Sequence, residues 1–324
     1  MATPSNDRAT MYETHFGLTE KPFNLTPNPR FLYLSRTHQE ALAHLRYGLE
    51  NRVGFIAVTG EVGTGKTTIL RSLFSQLDQE RFRLALVFNP CLTPLELLRA
   101  INHEFGLPAQ GNDGLALLDE LNGFLLAENH AGRTPVLVID EAQNLAAEVL
   151  EQIRLLSNLE TERDKLVQIV LVGQPELDGL LDRQELRQLA QRIAVRCRLE
   201  PLDPIETCAY VQHRLQVAGV FGELFDAAAL TAVYRWSRGL PRLINVLCDR
   251  ALLCAYAGNQ YLISKVEVRQ ATTELNGAEG QAAWQHRILA PLRRVFAGER
   301  LYWWIGMATL IEVVVLIWLV KVLV

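Results

Sequence analysis

The sequence predicts an α/β protein: a parallel sheet with helices on both faces, then an all-helical domain and a C-terminal apolar span. Three observations lead there. Up to residue 203, short runs of Val, Ile and Leu without polar alternation recur between segments of helical periodicity, as expected of buried strands joined by crossover helices. From Pro204 to Leu275 the spacing is helical throughout. Leu301–Val324 then holds 20 apolar residues in 24, the exceptions being Gly306, Thr309, Glu312 and Lys321.

The elements follow in chain order. Residues 1–15 read as a disordered N-terminus, and the aromatics and prolines up to residue 34 predict an irregular collar packed on the domain that spans 16–203. Within His38–Leu49 the apolar residues Ala41, Leu42, Leu45 and Leu49 share one helical face. Gly54–Thr59 is a buried strand running into a glycine-rich turn, and Thr67–Leu77 is the helix after it. Leu84–Asn89 is a second strand, and Thr93 caps a helix reaching Phe105. Leu115–Glu128 is a helix with a leucine stripe, Val136–Ile139 a strand, Leu145–Leu159 a helix and Val167–Val172 a fourth strand. The helical domain, 204–276, divides into helices near 205–218, 226–237, 241–257 and 265–275.

Composition sets bounds on function. With 32 Lys+Arg against 36 Asp+Glu, the chain is no broad electrostatic surface for nucleic acid. Five cysteines without CxxC or zinc-like spacing read as buried thiols of a reducing compartment. The start of the chain has no apolar stretch of the signal-peptide kind. A helix over Leu301–Val324 would be about 36 Å long, enough for a bilayer core of about 30 Å. Tyr302, Trp303 and Trp304 sit at its entry, and the linker 277–300 carries Arg287, Arg293, Arg294 and Arg300 against two Glu. The positive-inside bias then predicts a single-pass inner-membrane protein with its N-terminal body in the cytoplasm and its C-terminus outside. Glu312, in mid-span, is either outweighed by the apolar residues around it or hydrogen-bonded to a partner helix.

The chemistry begins at Gly60-Glu61-Val62-Gly63-Thr64-Gly65-Lys66-Thr67, which fits GxxxxGK[ST] between a strand and a helix. Such a loop turns backbone N–H groups toward phosphates at a helix N-terminus. These residues and Thr68 form the expected nucleotide-binding set, with Lys66 reaching the β- and γ-phosphates of ATP and Thr67 placed on Mg²⁺. Val136–Ile139 ends in Asp140 and Glu141. At the C-terminal edge of a parallel sheet Asp140 would hold Mg²⁺, directly or through water, and Glu141 would polarise the attacking water. Gln174, after the fourth strand, fits a role between the γ-phosphate and that water. Arg187 and Arg192, in Leu186–Ile193, are candidates for a finger acting on a neighbour's nucleotide, and Arg196 and Arg198 follow them. Gly239-Leu240-Pro241-Arg242 opens a helix of the second domain and would aim Arg242 at the phosphates.

Together with Asp140-Glu141-Ala142-Gln143, Val172–Leu177 and the arginine segment, these motifs resemble an AAA+ P-loop ATPase. Phe16–Leu49 is similar to the lead-in of the ExeA/GspA-type ATPases of general secretion. The resemblance covers about 16–276 and the apolar segment. It implies that the helical domain is a lid, that the Pro22–Arg30 collar and His38 lie near the adenine, and that the protein assembles as a ring or filament. It also implies a GspB-like inner-membrane partner and a part in secretin assembly. The periplasmic peptidoglycan-binding part of that family has no counterpart in these 324 residues. TniB/TnsC-type ATPases that regulate DNA transposition look similar over the same motifs, but the apolar segment and the acidic body weigh against that alternative.

Overall fold

The computed structural model describes residues 12–26, 28–88, 92–108, 113–161 and 164–277. In chain order they form α1 (Glu13–Phe16), α2 (Arg36–Glu50), β1 (Phe55–Gly60), α3 (Lys66–Gln76), β2 (Phe82–Val87), α4 (Pro94–Glu104), α5 (Gly114–His130), β3 (Thr134–Ile139), α6 (Ala147–Leu156), β4 (Gln168–Gly173), α7 (Glu176–Leu181), α8 (Arg187–Ala190) and β5 (Ile193–Leu199). α9 (Pro204–Val217), α10 (Ala227–Ser237) and α11 (Pro241–Ala257) make the helical part. The described residues up to Arg269 form one compact unit, and a second begins at Gln270, of which 270–277 are described and helical.

The sheet is parallel, in the order β2-β3-β4-β1-β5. Alternation along its strands makes two cores. Phe55, Ala57, Leu137, Ile139, Ile169 and Leu171 pack under α4, α5 and α6, while Ile56, Val58, Val136, Val138, Val170 and Val172 pack under α2 and α3. The central strands β1, β3 and β4 are buried along their whole length, as the unbroken apolar runs predict. Capping follows the sequence. Thr93 accepts from the Glu96 N–H while the Glu96 carboxylate accepts from the Thr93 N–H, a capping box contributing about 1 kcal/mol to α4.

Register decides what meets at the carboxyl edge. Thr59 lies opposite Gly173, and Ile139 opposite Leu171. Two residues beyond Ile139, Glu141 therefore reaches the level of Gly173 and of the turn that leaves β1. The loop after β1, the acidic pair after β3 and Gln174 after β4 share one edge, although β4 separates β3 from β1.

The structure differs from the sequence reading in four places. A fifth strand, β5, pairs with β1 in the segment read only as arginine-bearing. β2 and β5, at the sheet edges, are half exposed rather than apolar on both faces. Tyr12 and Phe16, at the boundary of the expected disordered N-terminus, are buried, and the Tyr12 hydroxyl donates to Asp249 of α11. Of the cysteines, Cys197, Cys248 and Cys254 are buried thiols and Cys208 is partly covered. Residues 1–11, Cys91, the linker from residue 278 on and Leu301–Val324 lie outside the described residues. Among the described residues no helix is long and apolar enough to cross a membrane.

Candidate functional site

A cavity of about 380 Å³ opens at the carboxyl edge of the sheet, walled by the β1–α3 loop, the collar and the helical part. The loop has the backbone its glycines foretell. Gly63 and Gly65 have φ of 85° and 101°, and a Cβ on Gly63 would stand 2.7 Å from the Cβ of Arg242. The Lys66 ammonium is buried and donates to the Gly60 and Glu61 carbonyls at 2.7 and 3.1 Å, so it bridges the loop it belongs to. Burial pushes its pKa down, against the opposing pull of Glu141, Asp140, Glu61 and Glu176.

Thr67, in the first turn of α3, donates through its hydroxyl to Asp140 Oδ2 at 3.1 Å. Asp140 is buried, and its other oxygen accepts from the Glu141 N–H at 2.9 Å. A hydroxyl and a carboxylate side by side are hard oxygen donors of the kind Mg²⁺ takes while keeping waters and phosphate oxygens in its shell. Among the described residues no cluster of three or more His, Cys, Asp or Glu exists that would hold a metal by itself.

Glu141 stands in the left-handed region at φ 55°, and its carboxylate joins the lining of the cavity. Its Oε2 accepts from Gln143 Nε2 at 2.7 Å and from Gln174 Nε2 at 3.2 Å. The bond from Gln143, with lesser help from Gln174 and Lys66, holds the Glu141 carboxyl below its usual range against the cost of burial. Gln174, just past the end of β4, therefore sets its side-chain amide beside Glu141. Gln143 joins it unassigned, since two residues past an acidic pair its side chain carries no motif-level role.

The helical part meets the cavity through α11. Its second residue, Arg242, presents its N–H to the Gly63 carbonyl at 3.4 Å and keeps an exposed side chain at the cavity wall. The two finger candidates part company. Arg192 is folded back on its own chain, where its guanidinium donates to Arg154 O, Ser157 Oγ and Asn158 Oδ1 at 3.1, 2.6 and 2.6 Å at the end of α6. That site is rich in orphan helix-terminal acceptors, which explains its pull on a cation. Arg187 is exposed on α8.

The collar lines the far end of the cavity through Asn24, Leu25, Thr26, Asn28, Phe31, Leu32 and Tyr33. His38 lines the same cavity and lies against the phosphate loop. Its Nε2 meets the Thr64 carbonyl at 2.8 Å, which makes Nε2 the protonated nitrogen, and its Nδ1 accepts from Ser35 Oγ at 2.5 Å. Burial pushes its pKa below the ordinary 6.5. Sequence reasoning missed Arg214, which is buried in α9 and donates to Pro22 O, Asn24 O and the Tyr210 hydroxyl at 2.5, 3.2 and 2.9 Å. Its guanidinium lies 4.9 Å over the Phe31 ring, so this one side chain ties the collar to α9. An arginine on the inner stripe of a helix was the available signal.

Comparison with known proteins agrees with this geometry. An AAA domain model matches residues 50–181. General secretion pathway protein A of Aeromonas hydrophila is 48% identical over 298 residues, which is 91% of this chain and 54% of that protein. The chain therefore spans about half the length of this curated relative. Drosophila ORC bound to DNA superposes with a TM-score of 0.62 at 18% identity, over 85% of this chain and 68% of that one. Aeropyrum pernix ORC2, in ADPNP–ADP complexes, gives 0.59 at 20% identity over 78% and 71%. At such identities the likeness is one of fold. The chain has an AAA-type α/β P-loop fold with a five-stranded parallel sheet, carries an AAA domain, and resembles general secretion pathway protein A over nearly all its length.

Proposed function

We propose that this chain is a membrane-anchored AAA+ ATPase that hydrolyses ATP to drive assembly of an envelope complex of the secretin kind. The observation that carries the hydrolytic part is the convergence of Lys66, Thr67, Glu141 and Arg242 on one cavity, with Asp140 hydrogen-bonded to Thr67 behind it. The triphosphate lies along the loop 60–68, and Lys66 leaves its loop carbonyls for phosphate oxygens. Thr67 and Asp140 would hold Mg²⁺, which when bound neutralises charge on the phosphate oxygens. Glu141, ionised near neutral pH, takes the proton of the attacking water as general base, and Gln174 orients that water. Arg242 carries the lid's response to the γ-phosphate.

Arg187, exposed and close in sequence to β5, is the better placed of the two finger candidates for reaching a neighbouring protomer, because Arg192 is committed to α6. That reading needs a ring or filament of copies. The secretion setting draws on the similarity to general secretion pathway protein A, and the anchor on the apolar composition of Leu301–Val324 with its basic lead-in. A GspB-like partner would supply the contact with the cell wall. Two measurements test the proposal. Lys66→Ala abolishes ATP binding in an equilibrium titration, and wild-type affinity would remove the site assignment. The full chain sediments with membranes and resists alkaline carbonate, and recovery in the soluble fraction would remove the anchor.

A further inference from the structure

Gln143 is engaged at both ends of its amide, in a way that fixes which end faces which partner. Its Oε1 accepts from the Gln174 N–H at 3.0 Å, where β4 gives way to α7. An amide whose oxygen is held by an N–H must present its Nε2 in the other direction, and that nitrogen lies 2.7 Å from Glu141 Oε2. The reverse orientation would set oxygen against carboxylate oxygen and nitrogen against N–H, so the network admits one arrangement only. The backbone leaves space for it: a Cβ on Gly173 would lie 2.9 Å from Gln143 Oε1.

Glu141 needs such a support. Its φ of 55° sets the side chain on a left-handed residue at the start of a short 3₁₀ turn, Ala142–Asn144, with no neighbouring strand to fix its rotamer. Its Oε2 is taken by two amides, one from Gln143 and one from Gln174. The two donors differ in what else they are asked to do. In the reading of Glu141 as base, Gln174 turns its amide toward the γ-phosphate and the attacking water, which draws it away from Oε2, where its bond is already the longer at 3.2 Å. Gln143 is tethered through the backbone N–H of Gln174 rather than through its side chain, so its hold survives that turn.

We propose that Gln143 is a positioning residue for hydrolysis: it pins Oε2 of Glu141 to the end of β4, so that Oε1 alone is presented to the attacking water. The inference rests on the reading of Glu141 as the general base. It assigns to the fourth residue of Asp140-Glu141-Ala142-Gln143 a role in turnover and none in nucleotide binding.

Gln143→Glu and Gln143→Ala separate this from a purely structural role. The glutamate keeps the acceptor for the Gln174 N–H and nearly the same shape, but sets a second carboxylate against Glu141 Oε2 in place of the donor; the alanine removes both partners without adding charge. Steady-state ATP hydrolysis by the full chain is measured beside equilibrium binding of ATP, with Glu141→Gln in parallel. The expected result is a kcat lower by about 10-fold to 100-fold in both variants, the worth of a hydrogen bond to a charged group, with KM and binding affinity within about threefold of wild type. Gln143→Asn, too short to span both partners, follows the alanine variant. Wild-type kcat in Gln143→Glu overturns the proposal, because the donor then does nothing. A rise in KM with kcat preserved in either variant also overturns it. Should Gln143→Ala fail to fold, Gln143→Glu decides alone. Wild-type turnover by Glu141→Gln would instead withdraw the base assignment, which the Gln143 variants cannot mimic.

Discussion

Replacing His38 with alanine tests whether its bond shapes the phosphate loop. The ring is 5% exposed, its Nε2–H donates to the Thr64 carbonyl at 2.8 Å, and its Nδ1 accepts from Ser35 at 2.5 Å. Removing the donor leaves a loop carbonyl without this partner, at a cost of about 1–3 kcal/mol. If roughly 2 kcal/mol of that falls on the loop shape that receives phosphate, the dissociation constant for ATP rises about 30-fold. Titration with a fluorescent ATP analogue reads the effect, and His38→Gln, which can restore a donor toward the carbonyl, should recover part of it. The pH dependence has a defined sign. Burial lowers the folded-state pKa of His38 below 6.5, while the Thr64 bond and the Glu206 charge act the other way more weakly. Its contribution to stability is therefore complete above about pH 6.5 and is lost as pH falls toward the depressed folded value. In His38→Ala this acid-side loss shrinks. An unchanged affinity together with an unchanged melting profile from pH 5 to 8 would refute the reasoning.

Other substitutions read other parts of the site. Gly63→Ala places a methyl 2.7 Å from the Arg242 Cβ on a backbone with φ 85°, so it should loosen the lid from the loop and weaken ATP binding by about tenfold or more, checked by the same titration. Arg192→Ala should cost about 1–3 kcal/mol in thermal or urea unfolding by stripping the end of α6 of its donor. Arg187→Ala should leave unfolding unchanged and lower turnover only in assembled protein; mixing it with Glu141→Gln protomers should restore part of the rate. The Cys197 thiol, pushed up to about 11 by burial, should resist iodoacetamide at pH 8 in the folded chain and react once the chain is unfolded.

Much of the fold was legible because strands buried on both faces leave no ambiguity of period. FIAVTG, TPVLVI and QIVLVG are covered on every residue, and each was found from its apolar run. β5 escaped because an edge strand shows alternation: Ile193, Cys197 and Leu199 turn inward while Arg196 and Arg198 face solvent, and the arginines drew attention away from the period. The loop 60–67 and the pair Asp140–Glu141 were legible because phosphate and metal chemistry demand fixed residue types at fixed spacing. The collar has no periodicity, and only the place of its partner Arg214 on the inner stripe of α9, with Thr207, Tyr210 and Val211, marks it in the sequence. The bond from His38 to the Thr64 carbonyl could not be read beforehand, since a contact to a backbone carbonyl 26 residues away leaves no mark on the sequence. Arg192 shows the same effect, because its acceptors at the end of α6 lie 34–38 residues away in the chain, and the Gln174 N–H that holds the Gln143 oxygen comes from 31 residues away.

The most direct test of the account is phosphate release from Mg-ATP by the full chain, measured beside Glu141→Gln at equal nucleotide occupancy. The account predicts turnover by the wild-type chain, and a Glu141→Gln variant that binds ATP normally but hydrolyses it at least about a hundredfold more slowly. Equal rates in the two proteins, or no hydrolysis by an assembled wild-type chain that binds ATP, would contradict it.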